Sequence, residues 1–233
     1  NTDGEFWQID DWSKDGRRLL MSRYVSINEG YPAILDLKEK KKIDIDLRKQ
    51  AGDKVAISEM RFTPDGESIY FTHDADGEFL QLVKYDIASK QQQALTKDIP
   101  WDVASVEVDK SGTVAFTTNE DGFSRIYLLQ NGQRKMVDLP RGLVQNVKFS
   151  PDGQHIGFSF SGPTAPADAY SCEIATGKIT RWTISEAGGL DPKSFVDAQL
   201  VRFSTFDGLQ VPAFYYKPKG ASAEKPVGVL IGI

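Results

Sequence analysis

The chain has 233 residues, and its 28 lysines and arginines against 33 aspartates and glutamates give a formal net charge of -5. Hydrophobic residues make up 40% and charged residues 26% of the sequence, which is the usage of an ordinary globular protein. This composition excludes a disordered, collagen-like or disulfide-stapled chain, and the net acidity argues against nucleic acid as a partner.

Four polar turns recur along the chain, and each ends on a glycine. Successive glycines are roughly 40 to 50 residues apart, the period of a repeated β-rich unit. A serine, threonine or aspartate at the first position can hydrogen-bond the backbone two residues on, and glycine accepts the positive φ with which such a turn ends. The turns are Ser13-Lys14-Asp15-Gly16, Thr63-Pro64-Asp65-Gly66, Asp109-Lys110-Ser111-Gly112 and Ser150-Pro151-Asp152-Gly153.

Apolar and polar residues alternate on both sides of these turns. In the second unit Met60 and Phe62 precede the turn, and Ile69 and Phe71 follow it. The other units repeat this spacing, with a one-residue deletion in the third. A period of two is typical of a strand with one buried face, so each unit is predicted to begin as a β-hairpin.

Each hairpin is followed by a second polar turn and by two more β-rich stretches. The fourth strands are predicted near Ile43, Ala94, Met136 and Ile179. We therefore predict an all-β fold, a β-propeller of about four four-stranded antiparallel blades in residues 1–185. A β-sandwich made of similar hairpins is the weaker alternative, because a sandwich would not normally repeat its turn at this phase.

The repeat pattern ends after Ser185. Residues 186–197 are rich in glycine and polar side chains, which predicts a linker. The β-rich stretches on either side of Asp207-Gly208 predict a hairpin with a two-residue type I′ turn. The continuous apolar run from Val227 to Ile233 predicts a strand buried on both faces, as in α/β sheets.

Several of these segments resemble the prolyl oligopeptidase family of serine peptidases. The turns at residues 62–66 and 149–153 resemble propeller repeats that this family shares with TolB-like proteins, and residues 116–127 resemble its blades. Residues 201–218 resemble the opening hairpin of the family's catalytic α/β-hydrolase domain. Residues 225–231 resemble the strand that leads into the family's His-Gly-Gly oxyanion segment.

The resemblance implies that residues 198–233 are the N-terminal hairpin and first buried strand of a truncated α/β-hydrolase domain. In the family a propeller of seven or eight blades covers the active site and admits only short or unstructured peptides. The blades are therefore expected to gate substrate access, with short peptides and the rest of the hydrolase domain as partners. Hydrolysis by Ser-Asp-His chemistry is expected downstream of Ile233. Whether the enzyme is an endopeptidase, an acylaminoacyl-peptidase or a dipeptidyl-peptidase stays open.

The chain itself offers little chemistry. An α/β-hydrolase carries its serine on a Gly-x-Ser-x-Gly elbow, and the nearest match, Gly157 to Ser161, lacks the final glycine. His73 and His155 have no partner at triad spacing, and Asp74 to Glu78 departs from the ligand spacing of an EF-hand. The basic segment Lys38 to Lys42 is interpreted as a solvated turn. We predict no catalytic, cofactor-binding or metal-binding residue and no cofactor, and we expect the chain alone to be inactive.

Two other interpretations are open. A non-enzymatic TolB-like propeller that binds a protein partner explains the turns equally well, but it leaves the C-terminal hairpin and apolar run without a sheet to join. Alternatively, four blades close on themselves or two chains pair into a larger ring. Open first and last blades would expose unpaired edges, which predicts self-association.

The sequence gives little information on location. The run from Val227 to Ile233 is far shorter than the roughly 20 residues that span a bilayer, and no charged-then-apolar leader opens the chain. We therefore expect a soluble chain without a membrane partner. The single cysteine, Cys172, does not decide between cytoplasm and periplasm.

Overall fold

The computed structural model of the chain describes residues 4–232. In this part of the chain, sixteen strands form four sheets, each of four antiparallel strands hydrogen-bonded in chain order. Blade 1 contains β1 (Phe6–Trp12), β2 (Arg18–Ser26), β3 (Glu29–Asp36) and β4 (Lys41–Asp44). Blade 2 contains β5 (Ile57–Phe62), β6 (Ser68–His73), β7 (Gln81–Asp86) and β8 (Gln92–Ala94). Blade 3 contains β9 (Val103–Val108), β10 (Val114–Glu120), β11 (Phe123–Gln130) and β12 (Gln133–Met136). Blade 4 contains β13 (Leu143–Phe149), β14 (His155–Gly162), β15 (Ala165–Glu173) and β16 (Ile179–Arg181). The predicted all-β fold of four four-stranded antiparallel blades is confirmed.

The recurring polar turns connect the first and second strands of the blades. In blade 2 the Gly66 N–H donates to the Thr63 carbonyl at 2.8 Å, and Gly66 has a φ of 71°. The Thr63 hydroxyl accepts from the Ser68 N–H at 3.0 Å and donates to the Asp65 carboxylate at 2.6 Å. In blade 3 the Asp109 carboxylate replaces the hydroxyl and accepts from the Thr113 N–H at 2.7 Å. The side chain at the first turn position therefore fixes the connection between the first and second strands of the blade.

Hydrophobic residues fill the spaces between successive blades. Leu20 and Ile34 of blade 1 pack with Phe71 of blade 2, and Tyr70 of blade 2 belongs to a cluster with Phe116 of blade 3. A third cluster joins blades 3 and 4. Among residues 4–232 no such cluster joins blade 4 to blade 1. The described blades therefore form a consecutive array held by three inter-blade cores, rather than a ring of four closed by a fourth core.

The last blade is tied to the segment that follows it by one buried carboxylate. Asp168 on β15 accepts hydrogen bonds from the Arg181 Nε at 3.0 Å, the Thr183 hydroxyl at 2.7 Å and the Ser185 N–H at 2.8 Å. Burial raises the pKa of Asp168, but the hydrogen bonds from Thr183, Arg181 and Ser185 outweigh it and lower the pKa to about 2. The ionised carboxylate therefore fixes the chain as it leaves the propeller.

The predicted C-terminal hairpin is formed by β17 (Gln199–Ser204) and β18 (Gln210–Tyr215), but the prediction of a two-residue type I′ turn at Asp207-Gly208 is wrong. Of these two residues only Gly208 has a positive φ, at 85°. The Thr205 N–H donates to the Leu209 carbonyl at 2.9 Å, and the Thr205 hydroxyl bonds Asp207. The hairpin turn therefore has the same hydrogen bonds as the polar turn in blade 2. In both turns a threonine hydroxyl donates to the carboxylate of an aspartate two residues later.

The strand predicted at Val227 to Ile233 is not formed in the described residues. Residues 227–232 have no regular secondary structure, and Val229 and Leu230 are 85% and 98% exposed; Ile233 lies outside the described part. A strand needs a neighbour to satisfy its backbone groups, and none of the described strands pairs with this segment. Its burial in an α/β sheet therefore stays a prediction for a longer chain.

The predicted linker is mostly irregular. Within residues 186–197 the described structure contains a short 3₁₀-helix, Pro192–Ser194, which Asp191 caps by accepting a hydrogen bond from the Lys193 N–H. No helix in residues 4–232 is long and apolar enough to cross a membrane.

His73 ends β6 and is 2% exposed. Its Nδ1 accepts from the Ala75 N–H at 3.2 Å, and its Nε2 faces the Gln92 side-chain oxygen at 3.1 Å. The tautomer that satisfies both contacts is neutral and carries its proton on Nε2. Burial lowers the pKa of His73, although Gln92 and the nearby carboxylates of Asp76 and Asp74 oppose this effect.

We expect the stability of the protein to fall as the pH drops from about 7.5 to about 5.5. The folded pKa of His73 is below that of an unfolded histidine, so the unfolded chain binds the proton first as the solution becomes acidic. Urea unfolding across this range should show a smaller pH effect in His73→Gln than in His155→Gln, which removes the other histidine. An equal pH effect in the two variants would show that protonation of His73 does not cause the loss of stability at low pH.

Candidate functional site on the inner strands

The first strands of successive blades lie side by side. β1 contacts β5, β5 contacts β9, and β9 contacts β13, so that these four inner strands form one continuous wall. Each inner strand carries a β-bulge where its register shifts against the second strand of its blade. A bulge turns a side chain away from the regular alternation of the strand. The residues left without a register partner are Asp10 in β1, Glu59 in β5, Ala104 in β9, and Asn146 and Val147 in β13.

A cleft of about 440 Å³ opens between the inner strands of blades 1 and 2, and polar side chains of β1, β2 and β5 line it. The Asp10 carboxylate accepts from the Ser22 hydroxyl at 2.8 Å and from the Gln8 amide at 3.2 Å. Burial raises the pKa of Asp10, against the opposing effects of these hydrogen bonds and of the Arg61 charge. The cleft therefore presents a carboxylate that is held in place and only partly solvated.

A chain of charges continues from this cleft along the wall. The Arg61 guanidinium lies 3.3 Å from the Glu59 carboxylate and 3.2 Å from that of Glu107 on β9. Glu107 also pairs with Lys148 on β13. Arg61, Glu59 and Glu107 are 18% to 29% exposed, so solvent screens their interactions less than those of fully exposed pairs. The ion pairs connect blades 2, 3 and 4 on the surface that the inner strands share.

Arg61→Met should lower the free energy of unfolding by about 1.5–3 kcal/mol, because it leaves the partly buried Glu59 carboxylate without its ion-pair partner and leaves Glu107 with only the exposed Lys148. The matched control is Arg17→Met. Arg17 also bridges two carboxylates, Asp36 and Glu39, but it is 46% exposed, and without it Asp36 still accepts hydrogen bonds from the Lys38 and Glu39 N–H groups, so its loss should cost only about 0–1 kcal/mol. Urea unfolding of both variants measures the difference, and equal losses would show that the wall does not depend on these charges.

The segments that the sequence singled out for chemistry lie apart and have structural roles. Ser159, within the nearest match to a Gly-x-Ser-x-Gly elbow, lies in the regular strand β14 and pairs with Ala169. Asp74 accepts from the Ala56 N–H at 2.8 Å, and Asp76 pairs with Lys49 at 2.9 Å. In residues 4–232 no group of three histidine, cysteine, aspartate or glutamate side chains is placed to hold a metal ion.

The wall charges were not identified from the sequence. Glu59 and Arg61 flank the core residue Met60, a spacing that an ordinary solvated strand face would also show. The informative contacts are between blades, from Arg61 to Glu107 and from Glu107 to Lys148, and they depend on which strands are inner neighbours. Charged residues at alternate positions of the first strand therefore predict ion pairs between blades only once a propeller is assumed.

The C-terminal hairpin provides a second candidate region, because it lies against the ends of blades 3 and 4. A cavity of about 300 Å³ at this junction is lined by Gly122 and Phe123 of blade 3, Gly162 of blade 4, and Phe214 and Tyr216 of the hairpin end, among others. The Phe123 and Phe214 rings meet with centroids 5.0 Å apart. The hairpin is therefore in direct contact with the blades.

Four-stranded blades whose first strands line one wall define a β-propeller domain. Residues 36–167 match the family described as the dipeptidyl peptidase IV (DPP IV) N-terminal region. Since this match covers more than half of the chain, the chain belongs to that family.

Three solved structures with the same fold come from studies of prolyl endopeptidases, a puromycin hydrolase and a prolyl oligopeptidase. A structure from a study of two prolyl endopeptidases is 19% identical, with a TM-score of 0.77 over 94% of this chain and 32% of its own. Puromycin hydrolase is 17% identical, with a TM-score of 0.78 over 91% of this chain and 34% of its own. Prolyl oligopeptidase B from Galerina marginata, bound to a 35mer hydrolysis and macrocyclization substrate, is 14% identical, with a TM-score of 0.71 over 90% of this chain and 31% of its own. The resemblance to the prolyl oligopeptidase family is confirmed, and the chain spans about a third of the length of these structures.

Proposed function

We propose that this chain is the propeller portion of a serine peptidase similar to the prolyl oligopeptidases, and that it admits short peptides to a catalytic domain. In this proposal residues 1–185 are the blades, residues 186–197 are the linker, and residues 198–233 begin the α/β-hydrolase domain. The nucleophile, acid and histidine lie downstream of residue 233. The observation that carries the proposal is that the blade array runs into a hairpin that contacts blade 3 directly.

The surface of the hairpin and of the segment after it supports a covering domain. Val201, Phe203 and Tyr215 point to the same side of the hairpin and are 40%, 53% and 47% exposed. Residues 227–231 add further exposed apolar side chains. Soluble proteins rarely leave such contiguous apolar surface in water, and a hydrolase sheet would bury it.

The wall of inner strands supports a role in admitting substrates. Exclusion by size needs a stiff wall rather than a catalytic residue, and the inter-blade cores together with the Arg61–Glu107–Lys148 chain of charges provide stiffness. The Asp10 cleft gives the wall a polar surface that suits the amide groups and charged ends of a peptide.

The proposal is tested by giving the full-length gene product one cleavage sequence in two forms. In a short free peptide the sequence should be cut, and in a surface loop of a folded protein it should be left intact. A control protease without a propeller should cut both forms. Equal cleavage of the two forms by the full-length product would contradict the admission role.

A second candidate is a non-enzymatic TolB-like propeller that binds a protein partner, and the recurring Pro-Asp-Gly turns favour it equally. It predicts that the full-length product has no peptidase activity.

The open faces of blades 1 and 4 also suggest self-association, since Ile9 and Trp12 on blade 1 are 65% and 56% exposed. Sedimentation of the chain over a range of concentrations tests this, and a single monomeric species throughout would contradict it.

A further inference from the structure

Two contacts join the C-terminal hairpin to the turn between β10 and β11 of blade 3. The Arg202 guanidinium pairs with the Asp121 carboxylate, although these residues are far apart in sequence. The Phe214 ring lies against the Phe123 ring, with centroids 5.0 Å apart and planes inclined by 62°. One contact is electrostatic and partly exposed, and the other is aromatic.

The turn in blade 3 is a rigid platform for these contacts. Glu120 pairs with Phe123, and the two residues between them, Asp121 and Gly122, have φ values of 53° and 80°. Positive φ at both central positions defines a type I′ turn, which matches the twist of its strands. A Cβ at Gly122 would lie 2.7 Å from the Phe214 ring, so glycine also permits the close approach of the hairpin.

Both hairpin contacts come from one face. Arg202 pairs with Pro212 across the two strands, and Leu200 pairs with Phe214, so Arg202 and Phe214 lie on the same side two positions apart. Phe123 is 6% exposed and also lies under the Arg141 guanidinium at 5.6 Å, so its ring has little freedom. Two contacts at separate points resist both sliding and rotation of the hairpin.

We propose that Asp121 and Phe123 are positioning residues that hold the hairpin, and with it the start of the catalytic domain, in a closed orientation on the propeller. The inference rests on the function proposed above. We call the Asp121–Arg202 and Phe123–Phe214 contacts together the latch. The Asp121–Arg202 pair is the weaker and salt-sensitive contact of the latch, whereas the Phe123–Phe214 contact persists when the pair is broken. Release of the pair widens access for long peptides more than for short ones.

The test uses the full-length product with Asp121→Asn, Arg202→Gln and the double variant. Asparagine tolerates the positive φ of residue 121, so the turn should keep its shape. Each single variant should raise kcat/KM for a long peptide relative to a short peptide with the same cleavage sequence by up to about fivefold, the factor that corresponds to an exposed ion pair. The double variant should match the single variants because they remove the same interaction.

The control is Asp98→Asn, which breaks the pair between Asp98 and Arg134 within the propeller, away from the hairpin. It should leave the ratio of long-peptide to short-peptide cleavage unchanged. Additive effects of Asp121→Asn and Arg202→Gln, or an equal effect of Asp98→Asn, would overturn the latch.

A second measurement does not depend on catalysis. Amide hydrogen exchange in residues 199–215 should be faster in Asp121→Asn and Arg202→Gln than in wild type, and unchanged in Asp98→Asn. Unchanged exchange in all three variants would show that the Asp121–Arg202 contact does not hold the hairpin. Faster exchange with an unchanged ratio of cleavage would overturn the positioning role. If the wild type cleaves no peptide, the proposed function fails while hydrogen exchange still decides whether the latch exists.

Discussion

Replacing Phe116 by alanine is expected to lower the free energy of unfolding by about 3–5 kcal/mol, which is among the largest losses that a single substitution in this chain can cause. Phe116 is fully buried between blades 2 and 3, where it packs with Tyr70 and Val106 and stacks on Tyr127 with centroids 5.1 Å apart. Its removal leaves a cavity between two sheets, and the hydrogen-bonded backbones of β9 and β10 limit how far the blades can collapse into it.

The matched control for this prediction is Phe206→Ala, since Phe206 is fully exposed at the tip of the hairpin. The same truncation there should change the free energy of unfolding by no more than about 0.5 kcal/mol. Urea unfolding, followed by fluorescence, measures both. Similar losses in the two variants would show that the inter-blade core does not stabilise the array.

Gly142→Ala is the second substitution for which we expect a large loss. A Cβ at Gly142 would lie 2.3 Å from the Ser161 carbonyl oxygen and 2.4 Å from the Phe160 ring. A backbone oxygen cannot move without displacing β14, so the loss should reach the upper part of the range of about 1–3 kcal/mol that overpacking causes. The Gly142 carbonyl also accepts from the Ser124 N–H at 2.8 Å, so the shift would disturb the junction of blades 3 and 4.

Gly162→Ala provides the comparison, because it adds the same methyl group at the same junction. There the nearest atom to the new Cβ is the Arg141 carbonyl oxygen at 3.8 Å, an ordinary contact. Gly162→Ala should therefore be nearly neutral in thermal unfolding, and Gly142→Ala should lower Tm clearly. A Gly142→Ala variant as stable as wild type would mean that the blades pack less closely here than the structure shows.

Much of the fold could be predicted from the sequence because the relevant signals are local. The apolar residues Ile69 and Phe71 and the hydroxyl or carboxylate that opens each polar turn are local features, and the blades form as predicted. The expected single buried face is wrong for β6, which is buried at every position because blades pack on both of its faces. The type of turn is harder to predict from the sequence. Asp207-Gly208 and Asp121-Gly122 share the same dipeptide, yet only the second is a type I′ turn, since Thr205 satisfies Asp207 locally.

Other features could not be predicted because they depend on distant parts of the chain. The Arg61–Glu107 contact requires knowledge of which strands are inner neighbours, and the Arg202–Asp121 contact requires knowledge of which blade the hairpin meets. The apolar run from residue 227 has the composition of a buried strand, but composition cannot supply the neighbouring strand that would pair with it.

The central claim is that these blades serve a serine peptidase whose nucleophile lies downstream of residue 233. It is tested most directly by labelling the full-length gene product and the 233-residue chain in parallel with a fluorophosphonate probe. We predict that the full-length product is labelled, that prior heating abolishes the labelling, and that the 233-residue chain is not labelled. A full-length product that stays unlabelled while folded, or labelling of the 233-residue chain itself, would contradict the account.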